Sequence, residues 1–130
     1  MTEFTGPELC ALSAVDAVAA LEKGDVSPAE MLDAALARIE AVEPEINAMP
    51  TVCAERARAA ITKLDKGEAA PWLAGLPIGI KDLTAVAGVR TTFGTKGLAN
   101  NIPAASDPLV ERLESRGAVV VGKTNTPEMG

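Results

Sequence analysis

The chain has 130 residues, enough for one domain of ordinary size and too few for two. Its 18 acidic against 12 basic residues give a formal charge of −6; with no run of Lys or Arg and only Phe4, Trp72 and Phe93 as aromatics, nucleic acid and anionic membrane are excluded as partner classes. Histidine is absent altogether, which removes Ser-His-Asp, Cys-His and most metal-binding constellations and leaves Lys, Asp, Glu and Cys as the acids and bases.

The first ten residues, MTEFTGPELC, carry acidic groups and no basic region followed by an apolar run, and no stretch of about 18 apolar residues occurs, so the expectation is a soluble, cytoplasmic protein. Cys10 and Cys53 stand far apart outside any C-x-x-C pattern and predict neither a disulfide nor a metal site. Ser13, then Ala14, Val18 and Leu21 at helical spacing, then Gly24, predict a first helix with both caps. Ser27-Pro28-Ala29-Glu30 supplies an N-cap, a proline at the first helical position and a capping-box Glu, with Leu32, Leu36 and Ile39 on one face; this second helix is expected to end near Pro44. A short extended piece over residues 46–52 leads into a third helix over about residues 54–65, closed by Lys66-Gly67, and residues 68–71 read as a linker.

Beyond it the pattern changes. Residues 76–81 predict a buried strand, with Gly75 just before it and Gly79 within it admitting neighbouring backbone. Gly88, Gly94 and Gly97 punctuate a loop running to Pro103, of a length that is often functional. Asp107-Pro108 caps a helix of about ten residues with Leu109, Val110 and Leu113 as its apolar stripe and Gly117 as its C-cap. Ala118-Val119-Val120-Val121 has no polar face and belongs in a sheet covered on both sides. The result is an α/β chain in which residues 1–130 are expected to be the N-terminal segment of a single domain: a helical layer over 1–67 and a strand-loop-helix-strand part over 73–130. Because only one other good strand is legible, the sheet is expected to be completed by the remainder of the same polypeptide or by another chain.

Two segments invite chemical readings. Residues 117–124, GAVVVGKT, fit the P-loop pattern G-x-x-x-x-G-K-[ST], but the variable residues are β-branched strand formers rather than a loop of free N–H groups, and Pro127 is poorly placed for a following helix; nucleotide binding is therefore set aside. Lys81 ends the apolar strand LPIGIKD, where its ammonium could be held partly out of water. Desolvation lowers a lysine pKa, and a neutral lysine can act as a general base. Strand alternation places Asp82 on the other side, so Asp82 need not neutralise it.

Read together, residues 73–82 (LAGLPIGIKD), 88–94 (GVRTTFG), 107–113 (DPLVERL) and 117–128 (GAVVVGKTNTPE) resemble the amidase-signature family in order and spacing. Residues 27–30 and 39–47 resemble its helical N-terminus more weakly. The resemblance implies the first strands of that family's mixed, mostly covered sheet, incomplete here, and an amidase hydrolysing a carboxylic amide of a small molecule. By the same resemblance Lys81 is the base of a Ser-cisSer-Lys triad whose serines lie in a Gly/Ser-rich signature beyond residue 130, and Met129 and Gly130 approach the substrate pocket. No metal or organic cofactor is implied. Ser13, Ser27, Ser106 and Ser115 are assigned to capping or helix surface, Asp82 to holding the local turn or loop through hydrogen bonds, and Thr91, Thr92 and Gly94 to a structural role in the loop after the lysine strand. Two alternatives stand beside this reading: a non-catalytic binding or assembly module, and the A-type subunit of a glutamyl-tRNA amidotransferase, which shares the triad. Homo-oligomerisation is left open.

Overall fold

The structure is a computed structural model that describes residues 6–64 and 71–130. A short 3-10 turn, Glu8–Ala11, precedes the first helix and was not legible in the sequence. The Ser13 hydroxyl accepts from the Asp16 N–H to open α1 (Ala14–Lys23), and Gly24 closes it at φ 75°. In α2 (Pro28–Ile46) the full capping box forms: Ser27 Oγ accepts from Glu30 N–H at 3.1 Å and Glu30 Oε2 accepts from Ser27 N–H at 2.8 Å.

Contrary to expectation, α2 continues through Pro44 and ends at Asn47, which takes the left-handed conformation at φ 46°. Proline removes one N–H in the final turn. That loss is offset by Glu43, whose carboxylate accepts from the Ala48 and Met49 N–H groups at 2.5 and 2.7 Å and fixes the exit of the chain.

The exit leads into β1 (Thr51–Val52) and then α3 (Ala54–Leu64). The predicted end of this helix at residues 65–67 and most of the predicted linker lie outside the described residues. β2 (Pro77–Lys81), α4 (Pro108–Ser115) and β3 (Val119–Thr124) follow. Among the described residues the sheet has the order β1-β3-β2, with β2 parallel and β1 antiparallel to β3.

β3 is covered as its composition demands. Val119 and Val121 pack against Leu32 of α2 and Ala57 and Ile61 of α3, while Val120 packs on the other face against Ile80, Val86, Val89 and Val110. A register shift between Ile78 and Gly79 lets the two strands keep pairing while β3 runs one residue longer. A third cluster, Ala17, Leu21, Val26 and Met31, joins α1 to the start of α2. The second edge of β3, expected to be paired from outside, is taken by Thr51 and Val52 through Lys123 and Gly122. Two residues between Pro50 and Cys53 are too few to read as a strand from periodicity, and they fall inside the stretch assigned to the helical layer.

Other departures are local. α4 has eight residues rather than about ten, and Leu109, placed on its apolar stripe, is exposed. The C-cap residue is Arg116, with Gly117 next at φ 90° and backed by the Pro71 ring, so a side chain there meets both backbone strain and a clash. Gly75 and Gly79 admit neighbouring side chains rather than backbone: an added Cβ would lie 2.7 Å from Pro28 Cβ and 2.6 Å from Thr124 Cγ2, respectively.

Candidate active site at the strand ends

β2 and β3 run parallel, so their carboxyl ends, Lys81 and Thr124, lie side by side. In open α/β sheets this is the end of the strands where ligands bind. The chain on either side of Lys81 is firmly held. The Lys81 carbonyl accepts from Thr84 N–H at 2.9 Å, Asp82 N–H donates to the Thr124 carbonyl at 2.9 Å, and Phe93 N–H donates to the Asp82 carbonyl at 2.9 Å.

The two neighbours on β2 have opposite surroundings. Asp82 is buried and Lys81 is exposed, as alternation requires. Among the described residues Lys81 therefore lacks the partial desolvation the sequence suggested: its side chain stands exposed at the end of β2. Among the described residues, no hydrogen bond or ion pair engages its ammonium group.

The desolvated lysine is Lys123, on β3. Its side chain is fully buried and donates to Asp82 Oδ1 at 3.2 Å and to Thr91 Oγ1 at 2.8 Å. Burial pushes its pKa below the ordinary lysine value, against the opposing pull of the Asp82 hydrogen bond and charge. Asp82 Oδ1 also accepts from Thr92 N–H at 3.1 Å and Oδ2 from the Thr92 hydroxyl, while the Thr91 hydroxyl donates to the Val89 carbonyl at 3.1 Å. Asp82 thus holds the loop through hydrogen bonds as expected, and Thr92 and Thr91, expected to be structural, are its partner and that of Lys123, respectively. The P-loop reading of Lys123 fails on the same geometry: residues 119–124 are strand, the lysine points into the protein, and no helix follows among residues 125–130.

One signal could have found Lys123 from sequence. A lysine two residues beyond an all-apolar central strand segment must be buried, and a buried ammonium needs a carboxylate. Asp82 is the acidic residue at the end of the other strand.

Residues 82–107 form a loop folded on itself. Thr91 N–H donates to Asn101 O and Asn101 Nδ2 returns a bond to Thr91 O, at 2.9 and 2.8 Å. Arg90 reaches Ala99 O and, at 3.2 Å, Thr51 Oγ1. Ser106, expected at a cap or helix surface, instead accepts from Ala87 N–H across this loop, whereas Ser13 and Ser27 are caps and Ser115 donates to Arg112 O on the helix surface.

The end of the described chain returns to the same loop. Met129 N–H donates to Phe93 O at 2.7 Å, and a Cβ at Gly94 would sit 2.8 Å from the Pro127 carbonyl. Gly130 lies against Leu83, two residues past Lys81. Lys81, Met129 and Gly130, named separately from sequence, thus lie around one end of the sheet, with Met129 and Gly130 both exposed.

Residues 30–130 match the family profile described as Amidase. The chain belongs to the amidase-signature family. It is 44% identical over 121 residues to the A-type subunit of the glutamyl-tRNA(Gln) amidotransferase of Roseiflexus sp. (strain RS-1), covering 90% of this chain and 25% of that protein. Against the acylamidase of Rhodococcus erythropolis the identity is 41% over 123 residues, covering 92% and 26%. Among solved structures, 6-aminohexanoate cyclic dimer hydrolase superposes with a TM-score of 0.84 at 33% identity, covering 95% of this chain and 25% of the other. A bacterial aryl acylamidase described as an amidase-signature enzyme superposes with 0.83 at 26% identity, covering 92% and 26%. This amidase-signature chain therefore spans about a quarter of the length of the relatives it matches.

Proposed function

We propose that the full-length protein hydrolyses a carboxylic amide and that Lys81 is its proton acceptor. The observation that supports this most is the position of Lys81: at the carboxyl end of β2, beside Thr124, with Asp82 engaged elsewhere by Lys123 and the amine left without a counter-ion among the described residues. A lysine already neutralised by a carboxylate is held protonated and is a poor base. One that meets no carboxylate and is covered by further protein is driven toward the neutral form, which can accept a proton at neutral pH.

In the proposed sequence the covering part of the protein contributes two serines. Neutral Lys81 takes a proton by way of the bridging serine as the second serine attacks the amide carbonyl. The tetrahedral intermediate collapses to an acyl-enzyme, the amine departs with the relayed proton, and water cleaves the ester to release the acid and restore the serine. Met129 and Gly130, on the exposed turn that meets the Phe93 carbonyl, border the acyl-binding side. Hydrolase and acylamidase neighbours support a small-molecule amide over a non-catalytic module.

The test uses the full-length protein and a chromogenic anilide. Amine release is expected, and Lys81→Ala is expected to lower kcat by about 10²–10⁴-fold with the fold retained. Wild-type turnover in the folded variant would remove Lys81 from the chemistry.

A further inference from the structure

We propose that the buried Lys123–Asp82 ion pair is a positioning device for Lys81, fixing the backbone that carries the amine rather than taking part in proton transfer. This rests on the reading of Lys81 as the proton acceptor. The geometry is that of a clamp on residue 82. Its N–H is bonded to Thr124, its carbonyl to Phe93, one carboxylate oxygen to both Lys123 Nζ and Thr92 N–H, and the other to the Thr92 hydroxyl. Asp82 is thus tied to β3 and to the 91–93 loop at once, and Lys81 is the residue immediately before it.

Stability alone does not account for such a pair. Replacing a buried ion pair by apolar side chains of similar volume is often neutral or stabilising, so its presence beside a candidate site calls for another reason. Alternation supplies one. Each rotation of the Asp82 peptide moves Lys81 on the opposite side of the strand, and an error of about 1 Å at a reacting group costs on the order of 100-fold in rate. The second bond of Lys123, to the Thr91 hydroxyl, carries the restraint into the loop that also receives Met129 N–H two residues later, at Phe93. Both sides of the candidate site therefore share one anchor.

The deciding variant is Asp82→Asn/Lys123→Met in the full-length protein, which removes both charges together and leaves an amide able to accept from Thr92 N–H and donate to its hydroxyl. Turnover of a chromogenic anilide is normalised to sites titrated with a fluorophosphonate that labels the reactive serine. The expected result is a kcat per titrated site about 10–100-fold below wild type, with KM and the midpoint of the acidic limb of the pH–rate profile unchanged, since the lost pair is neutral overall. Wild-type kcat per titrated site, with the loss confined to Tm, would overturn the inference and leave the pair purely structural. Should the double variant not fold, Thr92→Val decides: it deletes one bond to Asp82 and is expected to lower kcat at constant KM, and an unchanged kcat overturns the proposal. Lys81→Ala run alongside separates the two claims. Activity there defeats the base assignment, whereas an inactive Lys81→Ala beside a fully active double variant defeats only the clamp.

Discussion

Two lysines at the ends of adjacent strands have opposite fates, and the contrast comes from which side of the strand each occupies. Lys81 follows Ile80, whose side chain is in the core, and so faces outward; Lys123 follows the valines of β3 and is enclosed. Removing one member of a buried pair leaves the other charge uncompensated. Lys123→Met alone is therefore expected to destabilise the full-length protein by about 3–5 kcal/mol, read by urea denaturation, and the double Asp82→Asn/Lys123→Met to cost less than the single change. A double-variant cost equal to the sum of the costs of Lys123→Met and Asp82→Asn measured singly would show that the two side chains are not coupled. At this scale the sequence marked Lys81 through its motif, while among the described residues the side chain is exposed rather than partly out of water. It missed Lys123 as a structural cation because a P-loop pattern drew attention to the same residue for another reason. Asp82 was recognisable as a loop-holding residue and Thr91 and Thr92 as structural, but the convergence of Asp82 and Thr91 on one buried ammonium requires contacts between residues 41 and 32 positions apart.

At the level of elements, caps were the most legible feature and are also where solution conditions act. Hydrogen bonds from the Ser27 backbone and side chain lower the Glu30 pKa from its usual value near 4.5. A carboxylate with a lowered folded pKa contributes stability above its unfolded pKa and loses it as pH falls through the folded one. Acid is thus expected to weaken the start of α2 below about pH 4.5, and Glu30→Gln is expected to remove that part of the pH dependence in a thermal melt. An identical acid sensitivity in the variant would contradict the capping role. The second turn of the same helix is held by the core: Leu32 is fully buried against Val119 and Val121, and Leu32→Ala is expected to cost about 2–5 kcal/mol in urea denaturation. The exit of α2 past Pro44 was not legible, and β1, which falls in the extended piece expected over residues 46–52, was not legible as a strand of the sheet. The first depends on Glu43 reaching Ala48 and Met49, and the second on cross-strand pairing with Lys123 and Gly122, neither of which leaves a periodic trace.

Across the whole molecule, the chain builds a core strand with both edges paired and both faces covered, yet presents its candidate site at an uncovered sheet end. α2 and α3 lie on one face of β3, α4 and the folded 82–107 loop on the other, and Arg56 ties α3 to α4 through a two-point contact with Glu114, at 2.5 and 3.2 Å. This arrangement leaves Lys81 at the end of β2 and the turn at Met129 and Gly130 exposed among the described residues. Fold class and the central position of β3 were readable from the valine run, whereas the source of the second edge was not. The most direct test of the account is an experimental structure of the full-length protein, measuring the distance from Lys81 Nζ to the nearest serine hydroxyl. A hydrogen-bonding separation of about 2.6–3.2 Å with the amine enclosed is expected; an amine still in open solvent, with no serine within reach, would contradict Lys81 as the proton acceptor.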